Sequence, residues 1–170
     1  MHIHLSSNPE FLVPKGVTLR ILGRDDVPLL VEHLTGLDDA ARHDRFNGSI
    51  QVEGIVDYAQ RCIHPGVMVL AAESNGHVIG IAELHPTAMN TAEVAFSVDT
   101  LWRGRGIGAA LFALILEAAW SRGLSALDIS THADNKAMKK LARKFDAEMS
   151  FDHGEGFGRI NLEDVRLLDG

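Results

Sequence analysis

Apolar side chains recur along this chain with two periods, and the switches between them mark its elements. Residues 16–22, GVTLRIL, place Val17, Leu19 and Leu22 loosely enough for a first strand. Asp25 and Asp26, ahead of Val27-Pro28-Leu29-Leu30, supply N-cap chemistry with proline in the first turn; the helix they open is expected to end near Gly36. Helical spacing resumes over 38–63, with Ile55, Tyr58, Ala59 and Cys62 on one face, until His64-Pro65-Gly66 stops it. VMVLAAES (67–74) and HVIGIAELHP (77–86), joined by Asn75-Gly76, carry the strongest hairpin signal, and AEVAFSV (92–98) extends it into a meander. Ile107, Leu111, Leu114, Ile115 and Ala118 then form the apolar stripe of a helix closed by Gly123. LSALDIS (124–130) reads as a strand, 134–145 as a helix, and AEMSF with FGRINLEDV as a final hairpin around Gly154 and Gly156. Helices, a meander and βαβ-like alternation predict an α/β fold whose mixed central sheet carries helices on both faces.

With 170 residues, 46% of them hydrophobic, the chain suits one domain over 16–170, preceded by a leader over 1–15 that holds Pro9 and Pro14. The apolar run Ala109–Trp120 is broken by Glu117 and is too short for a bilayer span, and the N-terminus lacks the basic-then-apolar order of a signal peptide, so a cytoplasmic protein is expected. A net charge of −7 and a pI of about 5.7 disfavour nucleic acid and anionic membrane as partners. The single cysteine, Cys62, forms no internal disulfide and reads as a small, half-buried apolar side chain without a chemical role. Nine histidines are scattered without His-Glu-x-x-His or Cys/His ligand spacing, so no bound metal is expected.

Chemistry concentrates in WRGRGIGAAL, residues 102–111. A helix N-terminus leaves backbone N–H groups without partners and carries partial positive charge. Glycines let a bulky anion approach that backbone, because no Cβ intervenes. Gly104, Gly106 and Gly108, with Arg103 and Arg105 among them, favour an anion seat over a plain connecting turn. GRGIGA also approximates a dinucleotide fingerprint with Asp128 at the expected distance, but Asp99-Thr100-Leu101-Trp102 separates the preceding strand from the loop and Asp128 falls inside a strand. No Gly-Lys-Ser/Thr follows, which excludes a Walker A loop.

AEVAFSVDTLWRGRGIGAAL resembles the GNAT acyltransferase superfamily, whose signature is Arg or Gln, two residues, Gly, one residue, then Gly or Ala; Arg103, Gly106 and Gly108 stand in those places. The resemblance spans about residues 17–168 and implies a mostly antiparallel sheet splayed at the cofactor site, with acetyl-CoA as cosubstrate. It implies that the N–H groups of Arg103, Gly104, Arg105, Gly106, Ile107 and Gly108 hold the pyrophosphate, that the backbone of Phe96 and Val98 pairs with the pantetheine arm, and that Asn135 lies beside that arm. A plain helix cap is the competing reading of Asn135. Within the superfamily, AEVAF, TLRIL with the following Asp25-Asp26, ARHDRF and DNKAMKKLARKF resemble the bacterial protein-lysine acetyltransferases that modify acyl-CoA synthetases.

The implied reaction needs a base, since freeing a lysine amine of its proton at neutral pH costs roughly 4–5 kcal/mol. The resemblance assigns that role to Glu93, for which a plain solvent-facing strand charge is the competing reading, and Glu83 on the neighbouring strand is the reserve. An ordinary carboxylate is a weak base, so partial burial of Glu93 or a water relay is expected. Polarisation of the thioester carbonyl falls to backbone N–H at the splayed strand end. The position where many members carry a tyrosine general acid is Ala142, and Tyr58 is read as a packing residue, which leaves solvent, Ser130 or His132 to protonate the leaving sulfur. The reading is therefore an acetyl-CoA-dependent N-acetyltransferase acting on a primary amine, a protein lysine first. Acetylation of a small amine and a non-catalytic CoA-binding module are the alternatives, and a homodimer is possible.

Overall fold

The computed structural model describes residues 13–87 and 90–165, so most of the expected leader lies outside the described residues. Seven strands form one sheet: β1 (Val17–Ile21), β2 (Met68–Ser74), β3 (His77–Pro86), β4 (Thr91–Val98), β5 (Ala126–His132), β6 (Glu148–Asp152) and β7 (Glu155–Asn161). Their order across it is β1-β2-β3-β4-β5-β7-β6. Every pairing is antiparallel except β4 with β5. The turn between β2 and β3 holds Asn75 and Gly76 at φ of 51° and 80°, the left-handed pair that an Asn-Gly hairpin supplies.

Both faces of this sheet are covered. Helix α4 (Ile107–Ser121) presses Ile107, Leu111, Phe112 and Ile115 onto Leu70, Leu84, Val94, Leu127 and Ile129. On the other face, Leu30 and Leu34 of α1 (Val27–Gly36) and Ile55, Ala59 and Cys62 of α3 (Val52–Cys62) meet Val69, Ala71 and Ile81. Strands covered on both faces read as continuous apolar runs. That is why Met68 to Ala72 are all buried. At Gly80 a Cβ would stand 3.0 Å from Ile107, so α4 approaches β3 as closely as it does only because that side chain is missing.

The helical stretch expected over 38–63 is two helices. Asp38 accepts from Ala41 N–H at 2.8 Å to open α2 (Asp39–Phe46), and Asn47, at φ 52°, ends it in a left-handed cap before Gly48. The last hairpin turns at His153-Gly154, ahead of the expected Gly154–Gly156, and the Leu-Glu-Asp-Val segment expected as strand forms the short helix α6 (Leu162–Val165). Helix α5 (Lys136–Lys144) lies between β5 and β6 in the chain. Among the described residues no helix is long and apolar enough to cross a membrane.

Candidate active site

The parallel ladder between β4 and β5 is only four residues long, Thr91 to Val94 against Ala126 to Ile129. Beyond it, β4 keeps β3 on one side as far as Val98, and β5 keeps β7 on the other as far as His132. The two strands thus part into a V with a free edge of β4 from Ala95 to Val98. Phe96 is half-buried there, stacked on Phe112 at 4.8 Å between ring centroids, and Phe112 stacks in turn on Phe145 at 4.4 Å. This aromatic stack joins β4 to α4 and to the residue that ends α5.

At the mouth of the V, a single turn (Thr100–Trp102) leads into the glycine loop and then α4. Gly104 and Gly106 take φ of 72° and 84°, a left-handed conformation open to glycine without strain. Gly106 is the N-cap and offers no side-chain acceptor, so the first N–H groups of α4 carry no cap. Arg103 to Gly106 are exposed; Arg103 Nε donates to the Val98 carbonyl at 3.3 Å, and the Arg105 guanidinium sits 5.0 Å from the Trp102 ring centre. The Ile107 side chain is buried under the sheet, which leaves only its N–H for a ligand, while Gly108 lies half-buried. Uncapped donors, a backbone curled at two glycines and an unpaired strand edge fit a phosphate-bearing ligand with an extended arm. Asn135 Oδ1 accepts from Met138 N–H at 2.9 Å, so capping of α5 is one thing that it does. Ala142 is fully buried, and no tyrosine stands in its place.

Glu93 lies at the closed end of the V on the face covered by α1, α2 and α3. It is exposed, so the expected partial burial is not found and the water-relay branch of that expectation remains. Register places His85 of β3 directly opposite it on one side and Asp128 of β5 on the other. Asp128 is held by a two-pronged contact with Arg159 at 2.7 and 2.9 Å. Farther along β5, Ser130 is exposed, and the His132 ring stacks on His43 of α2 at 4.5 Å with its Nε2 buried and unpartnered.

Beneath this surface lies a cluster that the sequence did not suggest. The Glu83 carboxylate is fully buried. Its Oε1 accepts from Arg45 Nη2 at 2.6 Å; its Oε2 accepts from the Tyr58 hydroxyl, from His85 Nε2 at 2.7 Å and from the Cys62 thiol at 3.3 Å. Arg45 also donates to the Tyr58 oxygen at 2.8 Å and lies against the rings of Phe46 and Tyr58. Burial alone would raise the Glu83 pKa, yet the Arg45 charge and the hydrogen bonds from His85, Tyr58 and Arg45 hold it well below the usual carboxylate range. The same burial, with the Glu83 charge beside them, pushes the Tyr58 phenol up and the Cys62 thiol up to about 12. Glu83 is therefore saturated with donors and unfit to take an amine proton, which removes the reserve base. Tyr58 and Cys62 are hydrogen-bonding members of the cluster as well as packing residues. Cys62, Glu83 and His85 also bring one metal-ligating atom each within 4.8 Å of one another, but the Arg45 charge on the same carboxylate opposes a cation there.

The acetyltransferase (GNAT) family model matches residues 37–147, more than half of the chain, and the protein belongs to that family. Acyl transfer is the class of reaction this membership supports. Among solved structures, the GNAT domain of PAT from S. lividans is similar at 22% identity and a TM-score of 0.73, over 85% of this chain and 90% of that one. The protein yncA from Salmonella typhimurium, solved with its cofactor acetyl-CoA, is similar at 18% identity and 0.66, over 87% and 95%. Ribosomal-protein-alanine N-acetyltransferase from Brucella melitensis is similar at 23% and 0.66, over 85% and 99%. No curated protein matches the sequence.

Proposed function

We propose that the protein is an acetyl-CoA-dependent N-acetyltransferase that moves an acetyl group onto a primary amine, a protein lysine first, with Glu93 as general base. The observation that carries this reading is convergence. The uncapped start of α4 and the free edge of β4 meet at the mouth of one V, and the closed end of that V lies beside Glu93. In this reading the N–H groups of residues 103–108 and the Arg103 and Arg105 charges hold the pyrophosphate, the backbone of Phe96 and Val98 aligns the arm, and Asn135 stands beside it. The bound group supplies the activated acetyl; the chain supplies position and proton removal. An exposed carboxylate at the acceptor draws a cationic amine in and accepts its proton directly or through a water.

Calorimetric titration with acetyl-CoA, with NAD as the control, followed by thiol release from a panel of lysine-bearing proteins and small amines, tests the reading. Tight acetyl-CoA binding with acceptor-dependent release is expected. Glu93→Gln should keep that affinity while turnover falls on the order of a hundredfold. Binding without release to any amine would leave a CoA-binding module, and absence of binding would remove the assignment of the glycine loop.

A further inference from the structure

His85 lies beside Glu93 across the β3–β4 ladder. It is the direct cross-strand partner of Glu93, so their side chains share one face of the sheet with Cβ atoms about 5 Å apart. Its side chain is 29% exposed, whereas the Glu83 carboxylate that it meets is fully buried. We propose that His85 is the terminal proton acceptor of the transfer, receiving through Glu93 the proton that the amine must lose, with Glu83 as the positioning residue that fixes its ring. This rests on the reading that the chain acetylates a primary amine beside Glu93.

The hydrogen bonds decide which nitrogen is free. Glu83 is ionised and can only accept, so the 2.7 Å contact requires His85 Nε2 to carry the hydrogen. The Tyr58 hydroxyl, 3.4 Å from the same nitrogen, gives its own hydrogen to Glu83 and does not compete. Nδ1 thereby holds the lone pair, and it has no partner among the described residues. A carboxylate that holds one imidazole nitrogen leaves the other as the base, which is the arrangement that orients histidine bases in hydrolases. Imidazole is also the side chain that most often serves as a general base in enzymes.

The charged and titratable groups around the ring are Glu83 on its own strand, Arg45 from α2, Tyr58 and Cys62 from α3, and Glu93 from β4. Asp128 with Arg159 lies one strand farther, and the His43–His132 stack stands toward the open end of the V. The steps balance as follows. One ammonium N–H bond breaks and its proton reaches Nδ1 by way of the Glu93 carboxylate. The freed lone pair forms the C–N bond to the thioester carbon, the C–S bond breaks with its electron pair on sulfur, and the second nitrogen proton ends on that sulfur. The Nδ1 proton then returns to solvent.

His85→Gln keeps a donor for Glu83 and is the variant of choice, assayed with acetyl-CoA and the panel amine that wild type uses best. Its kcat should fall about a hundredfold at pH 7 with the acetyl-CoA KM unchanged. The wild-type pH–rate profile should carry an inflection that the variant lacks, and added imidazole should restore part of the rate. In 15N-labelled protein, long-range proton–nitrogen spectra should show His85 as the Nε2–H tautomer. An unchanged kcat and pH profile in His85→Gln, or an Nδ1–H tautomer, overturns the relay while leaving wild-type transfer and the Glu93→Gln loss in place. Wild type that transfers to no amine overturns the acetyltransferase reading itself, and the relay with it.

Discussion

Helices α4 and α5 begin in opposite ways. At α5 the chain provides its own cap, Asn135, whose carbonyl oxygen takes the Met138 N–H. At α4 it provides Gly106, and the first-turn donors face outward with no side chain to meet them. A capping residue is worth about 1 kcal/mol, so a helix as apolar as α4 that starts without one forgoes stability that its neighbour takes. The forgone cap leaves a seat for an anion. The Glu83 cluster carries the contrast to its limit, because there every oxygen of a buried carboxylate is met from within the protein. Donors left open are free to meet a ligand, and donors used up hold the protein itself still.

The contrast can be broken from either side. Glu83→Gln, which leaves the Arg45 charge buried without its counter-charge, should cost about 3–5 kcal/mol in urea unfolding. A smaller loss at this end comes from His33, whose Nδ1–H donates to the Val78 carbonyl at 3.1 Å and whose Nε2 accepts from Ser97 at 2.8 Å. Burial lowers its pKa to about 4, so the folded chain holds it neutral while the unfolded chain takes up a proton more readily. Its contribution is complete above pH 6.5 and is lost as pH falls toward 4, about 3 kcal/mol in all, and the difference between wild type and His33→Gln across that window measures it. At the open end, Gly104→Asp puts a residue tolerant of left-handed φ, and a negative charge, into the loop; acetyl-CoA affinity should fall at least about tenfold with the unfolding midpoint nearly unmoved. Asn135→Ala, which uncaps α5 as α4 is uncapped, should cost about 1 kcal/mol of stability.

The strand order along the chain, the Asn-Gly hairpin and the glycine loop were legible because each is written in local chemistry: period-two apolar runs, a left-handed pair, glycines at a helix start. The two-helix break at Asn47-Gly48 was present as a residue signal but hidden by apolar spacing that runs through it. The Glu83 cluster was not legible, because Arg45, Tyr58, Cys62 and His85 come from three elements and meet only when α2 and α3 fold onto β3. One trace of it stood in HVIGIAELHP, where Ile81, Glu83 and His85 share a face and the middle one is charged in an apolar run. Exposure of Glu93 could not be read either, since it depends on how far α2 covers the closed end of the V.

The short ladder between β4 and β5 also acts as a ruler. An extended chain that enters the V along β4 can advance from Val98 to Ala95, three rises or about 10 Å, before Val94 and Ile129 close the way. Where its tip halts is set by the register of one parallel pair of strands, not by any side chain that grips it. A one-residue slip in that pairing would move the stopping point by about 3 Å and turn Ile129 from one face of the sheet to the other, so the depth of the V and the core beneath it are fixed by the same register.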